Sequence, residues 1–121
     1  MAHILIIDDD VLIRKLVAAA LESMGHSFQE SSDGTEGLAA AKATPFDLII
    51  SDMNMPNMTG WDLMREMKSD PQTKDIPIMV LSAQHTSEDY DEAYSAGATA
   101  FIKKPVDLQA LAAKIEEVLA A

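Results

Sequence analysis

Short apolar runs alternate along this chain with longer stretches in which apolar positions recur every three or four residues. The run Ile4, Leu5, Ile6, Ile7 is continuously apolar and rich in β-branched residues, which predicts a strand buried on both faces. Positions 11–24 predict a helix, with Leu12, Leu16, Ala19, Ala20 and Met24 near the 3.6-residue period and Gly25 to stop it. A weaker strand at 27–31 is bounded by the turn-like Ser32, Asp33 and Gly34, and a helix over 35–43 breaks before Pro45. Leu48, Ile49 and Ile50 mark a buried strand at 47–51, followed by a loop at 52–60 and a helix at 61–67 with Leu63, Met64 and Met67 on one side. A strand at 76–81 tolerates Pro77 only at its start. An acidic helix at 87–96 ends at Gly97, and the last strand spans 99–103. The clearest helix is 106–120, where Leu108, Leu111, Ala112, Ile115, Val118 and Leu119 form one apolar stripe.

Strand followed by helix, five times over, predicts an α/β fold with a parallel sheet covered by helices on both faces. Right-handed crossovers then place ligands at the carboxyl ends of the strands. At 121 residues, with no linker, repeat or low-complexity tract, the chain is expected to form a single domain over 1–121. The absence of cysteine excludes disulfides, thiolate metal sites and cysteine nucleophiles. Nine basic against twenty acidic residues give a net charge of −11, which repels nucleic acid and anionic lipid. The run at 4–7 is too short to span a membrane, and the N-terminus carries no basic stretch or signal-peptide core, so the expected location is the cytoplasm.

The strand ends carry the candidate chemistry. The first ends at Asp8, Asp9 and Asp10, the third at Asp52, the fourth at Ser82 and the fifth at Lys103, Lys104 and Pro105. Several carboxylates, a hydroxyl and an ammonium therefore converge on one sheet edge. Clustered carboxylates repel one another, and hard oxygen donors favour Mg²⁺, Mn²⁺ or Ca²⁺ over zinc. A lysine and a hydroxyl beside such an ion suit phosphoryl oxygens. No glycine-rich phosphate loop follows the first strand, so ATP is not the obvious donor, and an aspartate can itself accept the phosphoryl group. Alternation along a strand sends Lys103 and Lys104 to opposite sides, so only one reaches the pocket.

These residues resemble, essentially end to end, the receiver domain of two-component response regulators, including stand-alone regulators of the chemotaxis type. The matching features are the Asp8, Asp9 pair, Asp52 within the segment 51–60, Ser82 with Ala83 after the fourth strand, and Lys104 with Pro105. The resemblance implies a five-stranded doubly wound sheet of flavodoxin-like order 2-1-3-4-5. It implies that Asp52 takes a phosphoryl group from a histidine kinase or a His-containing phosphotransfer protein. Asp9, Asp52 and the Asn54 carbonyl would ligate Mg²⁺ (Mn²⁺ as a substitute), with Asp8 acting largely through water. Ser82, Ala83 and Lys104 would contact the phosphoryl group, and the Lys104–Pro105 peptide would be cis. Ser82 and Phe101 would form the switch that alters the fourth helix, fifth strand and fifth helix for an unknown downstream protein. Asn54 and Gln84 would tune dephosphorylation. The domain is expected to be a signalling protein rather than an enzyme, a monomer or weak dimer, with no nucleic-acid or membrane partner.

Other features read as ordinary structure. Asp10 suits a helix cap. Five of the eight methionines fall between Met53 and Met67, where packing is the simpler role. His3, His26 and His85 form no ligand spacing, and Glu88, Asp89, Asp91 and Glu92 make a solvated acidic face. Two receiver alternatives stay open: a phosphorelay shuttle and a receiver excised from a larger regulator. A Mg²⁺-dependent phosphohydrolase with an Asp nucleophile is the distant reading, since Asn54 stands where such enzymes place a second acid. A flavodoxin-like cofactor carrier would need a phosphate loop where the three aspartates stand.

Overall fold

A computed structural model describes residues 1–83 and 87–121, with only the backbone at 87–90. Among the described residues, β1 (His3–Ile7), α1 (Val11–Ser23), β2 (Ser27–Ser31), α2 (Gly34–Ala43), β3 (Leu48–Asp52), α3 (Gly60–Lys68), β4 (Ile78–Ser82), α4 (Ser87–Ala96), β5 (Ala100–Lys103) and α5 (Leu108–Ala120) follow in order. All sheet pairings are parallel, and the strand order is β2-β1-β3-β4-β5. The chain reverses direction across the sheet between β1 and β3, which makes their carboxyl ends the switch point.

Alternation along the strands divides the core into two. Ile4, Ile6, Leu48, Ile50, Met79, Leu81 and Ile102 point to the face covered by α1 and α5. Leu5, Ile7, Ile49, Ile78, Val80 and Phe101 point to the other face, where they meet Leu63, Met64 and Met67 of α3 and Ala93 of α4. Both faces of β1, β3 and β4 are buried, which is why these strands read as unbroken apolar runs. The helix starts are locally encoded. Asp10 accepts from Leu12 N–H and Ile13 N–H, Asp33 from Glu36 N–H, and Asp107 from Gln109 N–H and Ala110 N–H. Thr59 and Asp62 form a reciprocal capping box at the start of α3.

The structure corrects the apolar face expected for the first helix. α1 buries Val17, Ala18 and Leu21, whereas Leu12 is 69% exposed and Leu16 is 39% exposed. Two stripes of apolar residues compete on this helix. Ile13, Val17, Ala20, Leu21 and Met24 turn toward Ile4, Ile6 and α5, and the stripe through Leu12 and Leu16 is left outside. The last helix is corrected at its start: Val106 precedes it, Asp107 caps it, and Leu108 is 40% exposed rather than part of the stripe. Pro77 lies just before β4, so its missing N–H costs the ladder nothing.

Candidate functional site at the carboxyl edge of the sheet

β1 and β3 end side by side, with Ile7 opposite Ser51, and this register brings Asp8 next to Asp52. Asp8 is fully buried, Asp52 is 5% exposed, and Asp9 faces solvent. Carboxylate oxygens of Asp8, Asp9 and Asp52 lie within 4.8 Å of one another. β5 delivers the counter-charge. Lys104 Nζ lies 3.2 Å from Asp8 Oδ2 and 3.3 Å from Asp52 Oδ1, while Lys103 is exposed. The backbone N–H of Lys104 donates to the Ser82 carbonyl at 2.7 Å, which ties the end of β5 to the end of β4. The Lys104–Pro105 peptide bond is cis.

Local hydrogen bonds orient the carboxylates. Asp8 Oδ1 accepts from Asp10 N–H at 2.9 Å, and the Asp8 carbonyl accepts from Arg14 Nη1 at 2.6 Å. Asp52 Oδ1 accepts from Met53 N–H at 2.9 Å. Gly60 N–H donates to the Met53 carbonyl at 2.9 Å, folding the loop 53–59 back over the end of β3. Within that loop Met53 and Met55 are buried and pack with the second core, and Asn54 is exposed. Ser82 is buried at the end of β4. Phe101 is 7% exposed and already packs in the second core. Gln84 lies outside the described residues, so its expected role has no structural counterpart here.

Burial pushes the Asp8 carboxyl above its ordinary value, and the neighbouring Asp52 charge adds to this against the opposing pull of Asp10 N–H and Lys104. For Lys104, burial works against the charged form, but Asp8 and Asp52 together outweigh it and raise its affinity for the proton. Three carboxylates facing one ammonium leave an excess of negative charge. Their hard oxygen donors fit a divalent cation of the magnesium class, and the raised proton affinity of Asp8 shows first the cost of burying its charge, with the Asp52 charge adding to it.

That cost has a measurable consequence. In the absence of metal, Asp8→Asn should raise stability at neutral pH, read as a higher urea midpoint, because a buried charge is replaced by a neutral amide. The substitution keeps an acceptor for Asp10 N–H and leaves Lys104 paired with Asp52. The sign follows from the raised pKa. The folded protein binds this proton more tightly than the unfolded chain. The contribution is therefore fully present below the ordinary Asp value and is lost as pH rises through the raised one. The gap between variant and wild type should narrow as pH falls through that window. An unchanged or lower midpoint at neutral pH would contradict the account.

The comparisons with known proteins agree with this geometry. The model of the response regulator receiver domain matches residues 4–116. The chain belongs to that family. It is 34% identical over 116 residues to chemotaxis protein CheY of Pseudomonas aeruginosa, covering 95% of this chain and 94% of that protein. The solved structure of the chemotaxis response regulator CheY4 of Vibrio cholerae superimposes with a TM-score of 0.92 at 36% identity, covering 98% of each chain. The chain is also 34% identical over 119 residues to the DNA-binding dual master transcriptional regulator RpaA of Synechocystis, but spans only 49% of that regulator's length. This is a receiver domain of the CheY-like kind, a two-component module that acts as a phosphorylation-activated signalling switch rather than a conventional enzyme. Receiver domains interact with histidine kinases or phosphotransfer proteins and bind Mg²⁺ in an aspartate cluster. No helix among the described residues is long and apolar enough to cross a membrane.

Proposed function

We propose that the chain is a single receiver domain over 1–121 whose phosphoacceptor is Asp52. The observation that carries this reading is the setting of the Asp52 carboxylate. It sits at the switch point, buried, within 4.8 Å of the Asp8 and Asp9 oxygens and 3.3 Å from Lys104 Nζ. A carboxylate oxygen of Asp52 attacks the phosphorus of a donor phosphohistidine. The new O–P bond forms as the P–N bond breaks, and the leaving imidazole takes the electron pair.

Asp9, Asp52 and the Asn54 carbonyl would hold Mg²⁺ directly, and Asp8 would act through water. The ion would supply positive charge against the carboxylates and the phosphoryl oxygens. Lys104 shifts its ammonium from the Asp52 carboxylate to the phosphoryl oxygens, and the Ser82 hydroxyl and the Ala83 N–H donate to the same group. Movement of Ser82 at the end of β4 is felt by Phe101 on the neighbouring strand, and through it by the surface of α4, β5 and α5. Exposed Asn54, with Gln84, sets the rate at which water removes the phosphoryl group. The signal leaves through protein–protein contact, either as a chemotaxis-type output or as onward phosphoryl transfer.

The test is intact-mass spectrometry of the full chain after incubation with acetyl phosphate, with Mg²⁺ or with EDTA. The expected result is one added phosphoryl group of about 80 Da, present only with the metal. An adduct that forms equally in EDTA would overturn the reading. So would the absence of any adduct together with failure of beryllofluoride, a non-hydrolysing phosphoryl mimic, to bind in the presence of Mg²⁺.

A further inference from the structure

We propose that the cleft between α3 and the C-terminal end of α4 binds a small monoanion with an aromatic or apolar body, of the aromatic carboxylate class. The cleft has a volume of about 540 Å³ and is lined by Trp61, Arg65, Lys68, Ser69 and Ala96. That volume suits a ligand rather than a few waters. None of the lining residues belongs to the aspartate site.

The walls combine apolar surface with positioned positive charge. Trp61, Arg65 and Lys68 follow one another at helical spacing along α3, so the indole and both cations share one face. Trp61 also packs against the second core, which anchors the indole. Lys68 is held at both ends. Its stem runs over Gly97, where an added Cβ would lie 2.8 Å from Lys68 Cε and 3.1 Å from Cγ. Its Nζ donates to the Lys74 carbonyl at 3.1 Å. A glycine at 97, in the left-handed region at φ +115°, thus makes room for the lysine stem between the two helices.

Charge decides the ligand class. Arg14 and Lys15 share Glu30, Lys42 pairs with Asp70, Lys104 with Asp8 and Asp52, and Lys114 with Glu117. Lys68, like Lys74 and Lys103, has no ion pair among the described residues, and it gives its ammonium to a neutral carbonyl at the rim of the cleft. Arg65 pairs with Asp62 at 2.9 Å, but both side chains are exposed and such a pair is readily shared with a ligand. The net charge of −11 repels acidic peptides and other polyanions. A monoanion needs only the two cations within a screening length of the cleft, and its apolar body is received by Trp61 and Ala96.

Trp61 is the sole tryptophan, so its indole N–H gives a single reporter signal in a ¹H–¹⁵N spectrum of the full chain. The experiment titrates 2-naphthoate against the neutral isostere 2-naphthamide. The expected result is saturable shifts at Trp61, Arg65, Lys68 and Ala96, with the amide bound about tenfold more weakly. Lys68→Gln should weaken naphthoate about tenfold and leave the amide unchanged. Arg65→Gln, at an exposed position, provides the same comparison should the first variant disturb packing at Gly97. Equal binding of acid and amide, shifts centred on other helices, or no saturation would each overturn the proposal. So would tighter binding of an acidic aromatic peptide than of naphthoate, which would assign the cleft to a protein partner.

Discussion

Asp52→Asn should abolish the phosphoryl adduct formed with acetyl phosphate and Mg²⁺. The amide oxygen can still accept from Met53 N–H, and the side-chain volume is unchanged, so the fold should persist. What disappears is the anionic oxygen that attacks phosphorus, together with one of the charges that draw a cation and Lys104 to the site. Intact mass and the urea midpoint together separate chemistry from folding. The expected pair is no added mass and a midpoint at or above that of the wild type, because a repelling carboxylate beside Asp8 has been removed. An adduct on the variant would place the acceptor on another residue and overturn the assignment of Asp52.

Gly60→Ala should cost about 2–3 kcal/mol of stability and slow phosphoryl uptake as well. A Cβ at position 60 would lie 2.7 Å from the Asp52 carbonyl oxygen and 2.9 Å from Met53 Cα. These are backbone atoms at the end of a central strand, so relief requires moving the peptide that carries the acceptor. Met53 Sδ, at 2.8 Å, could swing away, but the backbone contacts would remain. Gly25 is the informative contrast. At φ +82° it has no heavy atom within 4 Å of where a Cβ would stand, so an alanine there meets only backbone strain, with no effect on uptake. Urea denaturation and the rate of mass gain measure both variants. Equal uptake by Gly60→Ala and wild type would show that Asp52 does not depend on this close approach.

The elements and their order are readable from the chain because strands buried on both faces need unbroken apolar runs and their covering helices need a 3.6-residue stripe. β1, β3, β4 and α5 are of this kind, and most predicted boundaries differ by only one or two residues from those in the structure. The apolar face of α1 is ambiguous in the chain because two stripes coexist on it, and only packing against β1 and α5 decides between them. The α3–α4 cleft is hidden for a related reason. Trp61, Arg65 and Lys68 look like an ordinary amphipathic stretch until Ala96, far along the chain, lines the other side.

The sequence by itself determined the residue types at the strand ends and the parallel alternation that gathers them on one edge. Both are local properties: side-chain period, strand length, and acids placed just after an apolar run. Tertiary structure alone decided the rest. It made Asp8 a fully buried carboxylate and Asp9 an exposed one, although they are adjacent and their carboxylate oxygens lie within 4.8 Å of each other. It set the Lys104 ammonium 3.2 Å from Asp8 and 3.3 Å from Asp52 through the pairing of β5 with β4. It also set the contact between Gly60 and the Asp52 backbone, which depends on the path of a loop rather than on any periodic pattern. Charge and distance at this site come from residues as much as 96 positions apart, and such proximity is a property of the sheet order, not of any segment.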